Sequence, residues 1–193
     1  MKISCIGSGV MGTALMKGAV SAAFIDASDI TFSDIDQVKA KAAAASLGGQ
    51  VCVSNTEAVR SADYVFLAVK PQILEKVLHE VAPAVKEKLE GEKGPERLTL
   101  VSMAPGWTIK KIQTVLGFDA PVVRIMPNTP ALVSRGVIAV APSPEVSTER
   151  ISQLETILSG AGLVDKVDEN YLNAVTGLSG SGPAFVHFHR SIG

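Results

Sequence analysis

The chain has 193 residues, 47% of them hydrophobic and 19% charged, with 18 Lys and Arg against 19 Asp and Glu. That apolar share excludes intrinsic disorder, and a formal net charge of −1 argues against a nucleic-acid binder, which shows a basic excess or stripe. The two cysteines, Cys5 and Cys52, form neither a CxxC pair nor a metal-ligand spacing, so a disulfide scaffold is excluded and a reducing cytoplasm is the simpler setting.

The first hundred residues alternate short apolar runs with longer amphipathic ones. Lys2 to Ile6 reads as a strand that stops at Gly7, and Met11 to Ala23 as a helix. Although Lys2 precedes a mostly apolar stretch, Gly7, Gly9, Gly12 and Lys17 interrupt it. No run reaches the roughly 18 apolar residues of a membrane span, so no membrane partner is expected. Ile30 to Ser33 is a second strand, and Asp36 to Leu47 a helix ended by Gly48-Gly49. Val51 to Val53 is a third strand. Ser54-Asn55-Thr56-Glu57 has the spacing of a capping box, so a short helix should follow.

Ala62 to Val69 is continuously apolar around Tyr64-Val65-Phe66-Leu67 and reads as a buried strand. Pro71 then stands where a first helical residue belongs, and Leu74, Leu78 with Ile73, Val77, Val81 mark one apolar helix face. Glu87 to Glu96 is charged and reads as an exposed loop, and Arg97 to Ser102 as the next strand. Farther on, helices are expected at Ile109 to Leu116 and Glu145 to Ser159. Strands are expected at Val122 to Ile125, Val137 to Val140 and Leu163 to Val167. Strands alternating with helices at this spacing imply a doubly wound, mostly parallel Rossmann-type sheet with helices on both faces. The expected division is a dinucleotide-binding domain over 1–165 and the start of a second unit over 166–193.

Gly7-Ser8-Gly9-Val10-Met11-Gly12 is a G-x-G-x-x-G motif between a predicted strand and a predicted helix, the context that gives it meaning. Gly7 suits the tight turn, Gly9 lets backbone approach a pyrophosphate, and the helix N–H groups bind the phosphates. Asp34 lies about 20 residues beyond Gly12, where an acidic group meets the ribose 2′-hydroxyl of NAD and repels the 2′-phosphate of NADP. Ser33, Lys39 and Asn55 are the groups available to hold that phosphate instead. Asp34 equally suits a local turn with Asp36. Ala68-Val69-Lys70-Pro71 and Met103-Ala104-Pro105-Gly106 follow the fourth and fifth strands, at the edge where open α/β sheets bind ligands. Lys70 places a cation there or is a solvated loop lysine. In Met126-Pro127-Asn128-Thr129-Pro130 two prolines hold Asn128 and Thr129 on a rigid frame. These read as polar groups near a substrate, or as a structural turn.

With these segments in view the chain resembles the pyrroline-5-carboxylate reductases, through Ile6 to Gly12, Ala68 to Pro71, Met126 to Pro130, and Ala174-Val175-Thr176-Gly177-Leu178-Ser179-Gly180-Ser181-Gly182-Pro183-Ala184. The resemblance implies NADPH- or NADH-dependent reduction of 1-pyrroline-5-carboxylate to proline. It places the cofactor, NADP or NAD, against Ile6, Gly7, Ser8, Gly9, Val10, Met11, Asp34, Asn55, Ala68, Val69, Lys70, Pro71, Met103, Ala104 and Pro105, beside the Ser33 expected from its position at the strand end. It also implies a homo-oligomer whose all-helical second domain supplies the substrate loop. The polar end His189-Arg190-Ser191-Ile192-Gly193 reads as a truncated form of that domain, with little expected turnover. No Ser/His/Asp triad or carboxylate pair is evident, which suits hydride transfer to an already electrophilic imine. No metal site is expected. His187 and His189 lack a Cys or acidic partner nearby in sequence, and His79 reads as structural or exposed. The alternatives are a dinucleotide-binding remnant without turnover and a hydroxyacid or phosphogluconate-type dehydrogenase with a similar glycine motif.

Overall fold

The computed structural model describes residues 1–91 and 94–172. The Gly177 to Ala184 motif, His187, His189 and the expected start of a helical domain therefore lie outside the described residues, apart from a helical turn that opens at Glu169.

The elements run β1 (Ile3–Ile6), α1 (Val10–Ser21), β2 (Ile30–Ser33), α2 (Gln37–Leu47), β3 (Gln50–Val51), α3 (Asn55–Ser61), β4 (Tyr64–Leu67) and α4 (Pro71–Leu89). They continue with β5 (Thr99–Ser102), α5 (Ile109–Leu116), β6 (Val122–Pro127), β7 (Gly136–Pro142), α6 (Thr148–Ser159) and β8 (Gly162–Lys166). All eight strands join one sheet in the order β3-β2-β1-β4-β5-β6-β7-β8. The first six have the arrangement of a doubly wound dinucleotide-binding sheet. Every pair is parallel except β6–β7. The antiparallel step follows from chain length. Asn128 to Arg135 is too short for a parallel crossover, which takes about a dozen residues or more.

Helices cover both faces. Leu15 and Met16 of α1, the alanines of α2, and Leu154, Ile157 and Leu158 of α6 pack on one side. Ala58 and Val59 of α3, Leu74, Leu78 and Val81 of α4, and Ile112 and Leu116 of α5 pack on the other. All residues of β1, β4 and β5 are buried, which explains why the β4 segment reads as a continuous apolar run rather than as alternation.

Most boundaries follow local chemistry. Asp36 accepts from the N–H groups of Val38 and Lys39 and starts α2. Ser54 accepts from Glu57 N–H, and Glu57 Oε2 accepts in return from Val53 N–H, so the capping box forms with its return bond one residue early. Val53 is thereby drawn out of β3, which ends at Val51. Glu87 to Glu96 departs from the expected loop, because α4 continues to Leu89. Lys86 and Lys88 stand in its last turn, where cations favour the helix end, and Lys88 Nζ donates to the carbonyls of Val59, Arg60 and Ala62 at the end of α3. The helix expected from Glu145 starts at Thr148 because Ser147 is its cap. A 3-10 turn over Thr129–Val133 adds an element the pattern did not predict.

Candidate functional site

The carboxyl ends of β1, β2 and β4 meet at the glycine loop. Gly7 has φ +96°, and its N–H donates to Ser33 O at 2.8 Å, tying the loop to the end of β2. A Cβ on Gly7 would lie 2.7 Å from the carbonyl carbon and oxygen of Ala68, so only glycine lets the loop touch the chain leaving β4. Gly9 is different, since a Cβ there meets nothing within 4 Å. Its surroundings demand no glycine for packing, so its lack of a side chain matters only for what approaches from outside. The first turn of α1 has no side-chain cap and no acidic residue, which leaves its N–H groups open to an anion. Ser8 Oγ is buried beside them with no hydrogen-bond partner in the structure.

Next to the loop, a cavity of about 420 Å³ opens between the ends of β1 and β2. It is lined by Ile6, Gly7, Ser33, Asp34, Asn55 and Val69, all expected site residues, and also by Ile35, Val53, Ile73, Lys76, Val77 and Glu80. Ile35 and Val53 are 98% and 84% exposed. Apolar side chains gathered at a cavity mouth and left in water are the surface a flat aromatic ring would cover. Open helix N–H groups, a loop with room at Gly9 and an apolar-rimmed cavity together fit the phosphate and adenosine parts of a dinucleotide.

Asp34 sits at this cavity, but its carboxylate is also occupied. Oδ2 accepts from Ser8 N–H at 2.7 Å and Oδ1 from Asp36 N–H at 2.9 Å. The acid at the end of the second strand and the turn with Asp36 are therefore the same arrangement. Asp34 props the glycine loop while facing the cavity. Lys39 stands 3.4 Å from Asp36 Oδ2, on the α2 cap. Ser33 Oγ donates to Asn55 Oδ1, and Asn55 Nδ2 donates to Glu80 Oε2.

The remaining expected residues lie along the same sheet edge. Lys70 is exposed and precedes α4 without a side-chain cap, and Pro71 is the first helical residue. Trp107 Nε1 donates to Pro71 O at 3.0 Å, while its backbone N–H donates to Ala104 O, so the loops after β4 and β5 are bound together. Ala104 is buried beneath them, Met103 is half-buried and Pro105 exposed. Val10 is exposed at the start of α1 and Met11 packs inward.

Asn128 and Thr129 divide. Asn128 Oδ1 accepts from Val137 N–H at 2.9 Å and its carbonyl from Ala131 N–H, so its side chain braces the β6–β7 connection. Thr129 is exposed. His79 is exposed on α4. Cys5 lies under the loop, where a Cβ on Gly12 would come within 2.9 Å of its sulfur, and burial pushes its thiol up to about 12, with Asp34 adding to the shift. It is packing, not a nucleophile.

Ile35, Val53, Lys76, Glu80 and Trp107 were not singled out in sequence. Ile35 and Val53 each stand directly beside a predicted site or cap residue. Lys76 and Glu80 are one turn apart on the exposed side of a helix whose opposite face, Leu74, Leu78 and Val81, is core, which sequence spacing does not distinguish from ordinary solvation.

Residues 2–90 match the family model for NADP oxidoreductase, coenzyme F420-dependent. The pyrroline-5-carboxylate reductase of Methanosarcina acetivorans is 37% identical over 185 residues, covering 96% of this chain and 65% of that protein. The chain resembles the pyrroline-5-carboxylate reductases. Among solved structures, a pyrroline-5-carboxylate reductase from Coxiella burnetii superposes with a TM-score of 0.85 at 28% identity, over 97% of this chain and 66% of that one. A Plasmodium falciparum pyrroline carboxylate reductase with NADP bound superposes at 0.78 with 26% identity, over 98% and 66%. The chain thus spans just under two thirds of the length of these reductases. Among the described residues no helix is long and apolar enough to cross a membrane.

Proposed function

We propose that this chain carries the dinucleotide-binding part of a pyrroline-5-carboxylate reductase, an NAD(P)H-dependent oxidoreductase of proline biosynthesis acting on a cyclic imine. The observation that supports this most directly is the glycine loop. It has open space at Gly9 and uncapped helix N–H groups, and it abuts an apolar-rimmed cavity at the β1–β2 edge. In this reading residues 1–165 form the nucleotide domain and 166–193 open a second, helical unit. β8 ends at Lys166, one residue past this proposed boundary.

The α1 N–H groups and the Ser8 hydroxyl would hold the pyrophosphate. Ile35 and Val53 would flank the adenine. Ser33, Asp34 and Asn55 would face its ribose, and the Val69 to Pro71 and Met103 to Pro105 loops would border the nicotinamide. When bound, the reduced nicotinamide supplies a hydride to the imine carbon while the nitrogen takes a proton. The protein's share is orientation and exclusion of water. The bond from Trp107 to Pro71 fixes the two loops that would border that ring. Thr129 and the Asn128 amide nitrogen are the polar groups proposed near the substrate. The working protein is proposed to be a cytoplasmic homo-oligomer with a small-molecule substrate and no nucleic-acid partner.

Absorbance loss of NADH or NADPH with added 1-pyrroline-5-carboxylate, with proline measured as product, tests the activity. A titration of either dinucleotide by fluorescence tests the site. Binding with proline formation supports the reading. Binding without proline formation leaves a dinucleotide-binding module, and no binding of either dinucleotide refutes it.

Asp34→Ser is expected to move the affinity ratio toward NADPH by roughly tenfold, because it removes a carboxylate facing the 2′-phosphate position. Both affinities should also fall, since Ser8 N–H loses its acceptor. Paired titrations of NADH and NADPH read the ratio. An unmoved ratio would show that Asp34 acts only as a prop for the loop.

A further inference from the structure

We propose that Glu80, acting with Asn55, sets a preference of this site for a nucleotide with a free ribose 2′-hydroxyl over one with a 2′-phosphate. The inference rests on the dinucleotide reading above and adds a specificity residue from a different part of the fold.

At neutral pH a 2′-phosphate is mostly a dianion that accepts hydrogen bonds rather than donating them, and it needs donors or cations around it. The cavity offers few. Ser33 Oγ gives its hydrogen to Asn55 Oδ1 at 2.8 Å. Asn55 Nδ2 gives one to Glu80 Oε2 at 2.9 Å. An ionised carboxylate only accepts, so Glu80 fixes which way the Asn55 amide points, and Asn55 in turn fixes the Ser33 hydroxyl. This relay runs from β2 across the start of α3 to α4 and ends on a negative charge. Both Asp34 oxygens are held by backbone N–H groups, and its charge faces the same cavity. Among the charged residues lining the cavity, two carboxylates, Asp34 and Glu80, stand against one ammonium, Lys76.

A ribose hydroxyl meets this wall well, because it can donate to any of these acceptors. A phosphate meets it badly. It can take only the second hydrogen of the Asn55 amide nitrogen, the one not given to Glu80, and it then stands beside that carboxylate. Glu80 is exposed, so water and salt moderate the repulsion without abolishing it at contact distance. Its exposure also means that replacing it leaves the core of α4, built on Leu74, Leu78 and Val81, untouched.

The adenosine half alone tests this, independently of any turnover. 5′-AMP and 2′,5′-ADP are titrated into the native chain, Glu80→Gln and Glu80→Lys. Glu80→Gln keeps an acceptor for Asn55 and removes the charge. It should raise the affinity for 2′,5′-ADP relative to 5′-AMP about five- to tenfold, and Glu80→Lys should raise it further. A merely structural role would change both affinities together. A ratio that stays within about twofold in both variants overturns the proposal. If the native chain binds neither nucleotide, the dinucleotide reading itself fails and takes this inference with it.

Discussion

Gly9→Val is expected to leave the chain folded with an unchanged melting temperature and to weaken dinucleotide binding by more than about 100-fold, roughly 3 kcal/mol. A Cβ at Gly9 meets no protein atom within 4 Å, so the substitution meets no clash at that atom. It would instead occupy the space beside the uncapped first turn of α1, where a pyrophosphate gathers charge-assisted hydrogen bonds worth about 1.5–3 kcal/mol each. Gly7→Ala makes the contrast. There φ is +96° and the new Cβ would lie 2.7 Å from Ala68 backbone, so the loss should appear as roughly 2–4 kcal/mol of stability before any ligand is added. Thermal melts of both variants beside a fluorescence titration separate the two effects. A Gly9→Val chain that binds as tightly as the native one would remove the phosphate role of the loop.

The two glycines show what the sequence made legible. Their spacing after a short β-branched run placed the motif correctly between β1 and α1, since strand, turn and helix are all local. The alternation of strands and helices that implies a mostly parallel sheet was legible for the same reason, as each strand and helix announces itself within a few residues. The relay from Ser33 through Asn55 to Glu80 was not, because its members are separated by 22 and 25 positions and meet only when α3 and α4 fold over the edge of β2. Asp34 was legible as a ribose-facing acid and as a turn residue. Spacing could not show that the carboxylate bonding Asp36 N–H in that turn also reaches back to Ser8 N–H. The antiparallel β6–β7 pair hid behind Pro127-Asn128-Thr129-Pro130. Its prolines read as a loop, but it is the Asn128 bond to Val137 that turns the chain back beside β6.

Glu169 is expected to carry a measurable share of the stability through a single carboxylate. Its Oε1 accepts from Arg124 Nη1 at 2.8 Å and from Ile109 N–H at 2.7 Å. One carboxylate thus joins β6, the first backbone N–H of α5, and the chain that leaves β8. Arg124 is only 2% exposed, so its charge has little water to fall back on. Removing one partner of such a pair costs about 3–5 kcal/mol where both are buried. Glu169 is 29% exposed, which lowers the expectation for Glu169→Ala to about 2–3 kcal/mol. Glu169→Gln keeps an acceptor for Ile109 N–H but not the charge, and should lose about half as much. Replacing both residues with leucine should cost less than the sum of the two single changes by at least about 1 kcal/mol, because neither charge is then left facing an apolar site. Urea unfolding of the native chain, Arg124→Leu, Glu169→Leu and the double leucine variant gives the cycle. Additive losses would mean that Arg124 and Glu169 act separately. The junction between the sheet and the residues after β8 would then be held by Val167 and Leu172, which pack with Met126, Ala139 and Ala141, rather than by this ion pair.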